Sequence, residues 1–200
     1  MQTLMTPRAA TRSTRRILTT LALSLFASAA SAEYCDWGWQ WLANSCDGAV
    51  RAYQGGAYDL YLTGYAHHGR GTYSDEALKD QNEQAWGAGI GRTHIDERNN
   101  SHGIYFMGFK DSHYKPEWLL GYSWLARWGL AEHLNVGIGV TAGFTTRTDY
   151  CDYLCPVPYI LPLGAVEYRK VSLMATWVPK LPGAEGNGDV LFLFGKISFD

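Results

Sequence analysis

One stretch constrains the fold of this chain more than any other. Residues 134–145 read LNVGIGVTAGFT and alternate without a break. Leu134, Val136, Ile138, Val140, Ala142 and Phe144 fall on one face; Asn135, Gly137, Gly139, Thr141, Gly143 and Thr145 fall on the other. Side chains of a strand point alternately to opposite faces, so this strand has one apolar face and one small or polar face. Two folds accommodate it. One is a half-buried strand of a soluble sandwich. The other is a membrane β-barrel, with lipid outside and a tight or wet interior.

The start of the chain favours the second. Arg8, Arg12, Arg15 and Arg16 form a basic region, residues 17–26 a short apolar one, and Ala30-Ser31-Ala32 supplies the small residues of a signal-peptidase site. The apolar run falls short of the roughly 20 residues a spanning helix needs. Cleavage after Ala32 is expected, with residues 1–32 as signal peptide. It would remove four Arg and no acid, leaving 13 basic against 19 acidic residues. That balance, with no basic patch or helix, argues against a nucleic-acid partner. No other segment has the length of a spanning helix, so any span must be built of strands. The eight Trp and 13 Tyr suit the membrane–water interface, although for any one of them an ordinary core or surface ring is the better reading.

Residues 33–57 read as an amphipathic helix and linker. Trp37 and Trp41 share a helix face, and Gly38 and Gly48 weaken it. From 58 to the end, strand-like segments fall near 58–71, 85–96, 101–110, 117–129, 133–146, 159–169, 170–179 and 189–199, separated by turn chemistry at 96–100, after Ala131 and at 182–189. Long connections alternate with short ones, as in an outer-membrane barrel. The fold class is therefore all-β: an eight-stranded antiparallel transmembrane barrel behind a short N-terminal helix. Gly87, Gly89 and Gly91, and again Gly137, Gly139 and Gly143, recur at alternate positions. Either they leave a hole inside the barrel, or bulky side chains from facing strands fill the space they vacate.

Four cysteines form two local pairs, Cys35 with Cys46 and Cys151 with Cys155. An exported chain meets an oxidising compartment, so disulfides are expected. A Cys35–Cys46 bond and an unbroken helix over 35–46 exclude each other, because that rise far exceeds the ~7 Å Cα limit of a disulfide. No zinc spacing is present.

Candidate chemistry lies near the outer strand ends. Lys110-Asp111-Ser112 closes the third strand and His67-His68 the first. A hydroxyl becomes a useful nucleophile when a base such as His removes its proton and an acid orients that base. Rim Ser, Asp and His are more often solvated loop residues.

Several runs carry more than the pattern does: Tyr58-Asp59-Leu60-Tyr61, Trp86-Gly87-Ala88-Gly89-Ile90-Gly91, His102-Gly103-Ile104-Tyr105 through Phe109-Lys110-Asp111-Ser112, Gly121-Tyr122-Ser123-Trp124, residues 137–143 and Leu161-Pro162-Leu163. In this order they resemble PagP, the outer-membrane lipid A acyltransferase family, from about Tyr58 to the C-terminus. The resemblance implies transfer of an acyl chain, palmitate or somewhat shorter, from the sn-1 position of a phospholipid to lipid A. It implies an outer-membrane location, a monomer, and no metal or cofactor. It maps the family's required residues onto His68 as general base, Asp111 as its orienter or a nearby acid, and Ser112 as a hydrogen-bonding or oxyanion-stabilising group. It aligns Ser123 with the glycine at the floor of the acyl cavity, where a larger side chain would shorten the cavity by one or two methylenes, each worth ~0.8 kcal/mol. Family prolines, whose missing ladder bonds are thought to admit lipids sideways, are replaced by Thr63, Ala85 and Lys170, while Pro156, Pro158 and Pro162 remain. One lateral opening is expected and the other is in doubt. The competing readings are a non-catalytic barrel with an interior plugged by charge networks, a lipid A deacylase, and a soluble periplasmic lipid carrier.

Overall fold

The computed structural model describes residues 35, 38–146, 155–180 and 188–199. The export segment, Trp37, Cys151 and most of the 182–189 loop lie outside these. A helix, α1 (Gln40–Gly55), precedes β1 (Ala57–His68). A short helix, α2 (Asp75–Asp80), follows, then β2 (Gly87–Ile95), β3 (Ser101–Lys110), β4 (Pro116–Ala131), β5 (Leu134–Thr146), β6 (Pro156–Tyr168), β7 (Val171–Val178) and β8 (Val190–Phe199). Each strand pairs antiparallel with the next, and β1 pairs with β8, closing an eight-stranded barrel.

The alternation in β5 becomes the inside–outside distinction of the wall. Ile138 is 67% exposed and Phe144 55%, whereas Thr141 between them in the pleat is 4% exposed. Ile90, Leu120, Ile160 and Leu173 are likewise exposed on neighbouring strands. A continuous apolar exterior of this extent is a liability in water and a requirement in lipid. Closure leaves no unpaired edge at membrane depth, so this is a wall that crosses the bilayer with strands.

The two ends differ. At one, tight turns join the strands, with Asn99, His133 and Arg169 at positive φ. At the other, which we call the mouth, lie longer connections. β1 stops at His68, short of the expected residue 71, because Thr72 and Tyr73 donate their N–H groups to Gly69 O and turn the chain. Ser74 then caps α2, accepting from Ala77 N, a helix the sequence pattern did not announce.

The interior is also divided. In the half away from the mouth, Tyr61, Leu125, Leu163 and Met174 form a packed core that continues into Met107 nearer the mouth. Beyond them Asp59 accepts from Thr93 Oγ1 and Ser198 Oγ, and Lys196 Nζ lies 4.0 Å from Asp59. Arg127 pairs with Glu167 at 2.6 Å. Such fully satisfied buried networks seal this half. The β2 glycines belong to this packing. A Cβ at Gly89 would lie 2.3 Å from Met107 Cγ, and one at Gly91 2.8 Å from the Tyr61 ring. Here the glycines admit neighbouring side chains and do not leave a hole.

Helix α1 starts at Gln40, so no unbroken helix covers 35–46; Cys35, Cys46 and Cys155 are each disulfide-bonded. Gly48 and Ala52 are its buried residues, and an added Cβ at Gly48 would sit 1.9 Å from His102 Nδ1. His102 is held by Tyr122 Oη at 2.8 Å and Asp96 Oδ2 at 3.3 Å, so it cannot swing away freely. Gly48→Ala is expected to lower barrel stability by about 1–3 kcal/mol, read as an earlier midpoint of heat-modifiable gel migration. An unchanged midpoint would show that the helix is not docked there.

Candidate active site

Three connections converge at the mouth. β1 ends on His68. The turn 111–115 reverses β3 into β4: Asp111 N donates to Lys115 O, and Asp111 Oδ1 accepts from His113 N and Lys115 N, each at 2.8 Å. Tyr114 completes the reversal at φ 62°. The segment 81–86 returns from α2 and crosses between them. Its Asn82, 3% exposed, acts as a clamp. Asn82 N donates to Ser112 O at 2.8 Å, and Asn82 Nδ2 to Asp111 O at 3.0 Å and Gln84 O at 3.1 Å. The backbone of Ser112 is thereby fixed against the β1 side of the barrel.

The outcome is a close pair: His68 Nε2 lies 2.9 Å from Ser112 Oγ. The His68 side chain has no exposed surface, and Tyr73 packs edge-on against it with ring centroids 5.3 Å apart. His67, its neighbour, points the other way, with Nδ1 3.4 Å from Tyr65 Oη. Asp111, expected as the orienter of His68 or a nearby acid, has one carboxylate oxygen engaged in its own turn. The carboxylate facing His68 is that of Glu83. Glu83 Oε1 accepts from His68 N at 3.3 Å and lies 3.8 Å from Nδ1. Burial works to raise the Glu83 carboxyl, but bonds from His68 N, Arg70 and Tyr65 outweigh it and hold it below its ordinary range.

Ser112 opens onto a cavity of about 400 Å³ in the mouth half of the barrel, lined on its way down by Phe109, Met107, Leu119, Val157 and Phe192 and at its deepest by Tyr105, Thr141, Leu161 and Phe194. An eight-stranded barrel has room for one slender ligand of this kind. Ser123, the residue expected at the cavity floor, does not line it. It is 5% exposed and is paired across the sheet with Gly103 and with Thr141, which does line the deep end. The cavity narrows at a row of four paired residues, Tyr105, Gly121, Gly143 and Tyr159, below which Thr141 and Leu161 line its tip. The two phenols lean inward over the two glycines until their oxygens meet at 2.8 Å. A Cβ at Gly121 would lie 2.3 Å from Tyr159 Oη, which is why glycine stands there.

Two seams open the wall near the mouth. The β1–β2 ladder ends at Thr63 and Gly87, although Thr63 Oγ1 still donates to Ala85 O at 2.6 Å. The β6–β7 ladder ends at Leu163 and Thr176. Pro162 O turns toward β7, accepting from Thr176 Oγ1 at 2.8 Å, so its missing N–H is missing on that side. Pro158 and Pro156 share its parity in the strand, and a ladder cannot form along them.

A family model described as "Antimicrobial peptide resistance and lipid A acylation protein PagP" matches residues 50–196. The chain belongs to the PagP family. A relative named "Lipid A acyltransferase PagP" from Bordetella pertussis is 39% identical over 180 residues, 90% of this chain and 96% of that protein. One of the same name from Legionella pneumophila is 37% identical over 184 residues, 90% and 95% of the two chains. Within this barrel, Asn82 and Glu83 are the mouth residues that spacing along the chain did not reveal. Both sit in a polar loop segment with no periodicity. A pair of adjacent polar residues just before Trp86-Gly87, at the return into a strand, is the only signal the sequence offered.

Proposed function

We propose that this chain is an outer-membrane lipid A acyltransferase that moves a fatty acyl chain from the sn-1 position of a phospholipid to a hydroxyl of lipid A. The observation that carries this reading is the His68–Ser112 pair at the mouth of a tail-sized apolar cavity. A base with a hydroxyl 2.9 Å away can take a proton from a substrate hydroxyl that the serine holds, and the cavity leads away from them into the bilayer-spanning part of the wall. The two seams give lipid tails a sideways path to it.

In this reading the donor's acyl tail fills the cavity, which brings its ester carbonyl to Ser112. His68 Nε2 takes the proton of the attacking hydroxyl as the new C–O bond forms. The ester C–O bond then breaks, and the imidazolium returns the proton to the departing lysophospholipid oxygen. Ser112 Oγ holds the attacking hydroxyl or the developing oxyanion. Asp111 contributes the turn that presents Ser112.

The mouth faces the cell exterior, where lipid A resides, and α1 lies at the periplasmic interface. The chain acts as a monomer after removal of residues 1–32. The test is to express it in a Gram-negative host without such an enzyme and weigh the lipid A. Lipid A heavier by one acyl group is the expected result, and N-terminal sequencing of the barrel should begin at Glu33. Lipid A lighter by an acyl group would instead make the protein a deacylase. Unchanged lipid A, with a folded barrel in the outer membrane, would make it a non-catalytic one.

A further inference from the structure

His68 has two ring nitrogens, and the site explains only one of them. Nε2 faces Ser112 at 2.9 Å. For Nε2 to accept a proton it must be bare, so the neutral ring must carry its hydrogen on Nδ1. Nδ1 is buried and, among the described residues, is the one buried side-chain polar atom without a hydrogen-bond partner. A buried N–H left unpaired costs about 1–3 kcal/mol, which favours the wrong tautomer unless an acceptor is at hand.

Two acceptors act on the ring, the Ala66 backbone and Glu83, whose Oε1 lies 3.8 Å from Nδ1 and is the charged one. Glu83 is not a loose side chain. Arg70 Nη2 lies 2.9 Å from Oε1 and 3.0 Å from Oε2, Tyr65 Oη donates to Oε2 at 3.2 Å, and His68 N donates to Oε1 at 3.3 Å. These bonds aim Oε1 at the imidazole edge from the backbone side of His68. A rotation of the ring or a small approach of the 81–86 segment closes the remaining gap. Bonds of this type commonly run long before substrate enters and tighten in the reacting complex.

We infer that Glu83 is the positioning residue of the site: it receives Nδ1–H of His68 and so completes a Ser112–His68–Glu83 relay, the part first given to Asp111. The inference rests on the acyltransferase reading, since it assigns the third member of that reaction's base. Glu83 never touches substrate. It fixes the tautomer and stabilises the imidazolium that forms when His68 takes the proton. The charged groups acting on His68 are Glu83 and Arg70, with the Ala66 backbone, the Tyr73 ring and Ser112 as its other neighbours. Because Arg70 partly neutralises Glu83, its field at His68 is reduced but not removed.

The experiment compares wild type, Glu83→Gln and Glu83→Asp as refolded, heat-modifiable barrels, with acyl transfer from phospholipid to lipid A followed against pH. Glu83→Gln is expected to transfer about 10²-fold more slowly. Activity falls on the acid side as His68 protonates, and loss of a nearby anion makes that protonation harder. The acid limb of Glu83→Gln should therefore move to lower pH by about half a unit or more. Glu83→Asp should recover at least tenfold of the loss, and the original limb. Nitrogen-15 NMR of the wild-type barrel, which needs no variant to fold, should show His68 neutral with Nδ1 protonated. A Glu83→Gln barrel with wild-type rate, a slower one with an unmoved acid limb, an Asp variant no better than Gln, or an Nε2-protonated His68 would each overturn the inference. Wild type that transfers nothing would remove the acyltransferase reading itself, a distinct result.

Discussion

His68→Ala is expected to reduce acyl transfer on the order of 10³-fold or more in a barrel that still inserts and still migrates faster before heating than after. The change sits at the last residue of β1, beyond the ladder with β2, which ends at Thr63. The closing β1–β8 ladder uses backbone groups and survives the loss of the ring. Ser112→Ala should fall in the same range while leaving the Asn82 clamp intact, since that clamp holds the Ser112 carbonyl and not its hydroxyl. Because His68 and Ser112 stand 2.9 Å apart and act on the same reacting group, their losses should not add. The double variant should be no slower than the worse single one, as for groups that work as a unit. The measurement is the ratio of acylated to unmodified lipid A by mass spectrometry. Transfer by His68→Ala within tenfold of wild type would place the base elsewhere.

The barrel was legible because lipid and a packed interior make opposite demands on alternate residues, and β5 records that opposition for its whole length. Strand ends were less so. The turn that stops β1 depends on Gly69 O receiving two N–H groups, which a count of apolar residues does not see. The interior was legible only as an ambiguity. Alternate glycines say that something comes close, but the identity of the visitor depends on register, and register fixes Tyr61 over Gly91 and Met107 over Gly89. Sealed and hollow halves therefore coexist: charge pairs of the sort expected in an inert barrel fill one, and a tail-sized space the other. At the mouth, His68 and Ser112 could be nominated from residue type and resemblance. The division of labour between carboxylates could not. Asp111 is adjacent to Ser112 in sequence and spends its oxygen on a turn; Glu83 is remote in sequence and faces the imidazole.

The same separation of sequence position from spatial role governs acyl-chain length. Ser123 was the natural candidate for a shortened cavity, yet its side chain is not part of the lining, so Ser123→Gly should leave the selected chain length unchanged. Tyr159 is the residue to change. Tyr105 Oη bonds to Thr141 Oγ1, and Thr141 Oγ1 donates to Tyr122 O, so the hydroxyls form a chain that runs into the wall. If Tyr105 donates to Thr141, Tyr159 donates to Tyr105, and the Tyr159 oxygen presents its lone pairs to the cavity as an acceptor with nothing to accept from a hydrocarbon. A tail pressed past it leaves a buried polar atom unpaired and meets the ring besides. Tyr159→Ala removes both obstacles, and the room above Gly143 and Gly121 becomes available to methylenes. At ~0.8 kcal/mol for each buried CH₂, two further methylenes should favour the longer chain by about tenfold. Lipid A weighed after exposure to phospholipids of mixed acyl length should show that shift toward longer chains in Tyr159→Ala, with Tyr159→Phe intermediate because it loses the oxygen and keeps the ring. A Tyr159→Ala product distribution identical to wild type, or a shift produced by Ser123→Gly instead, would mean that the phenol row does not set the length.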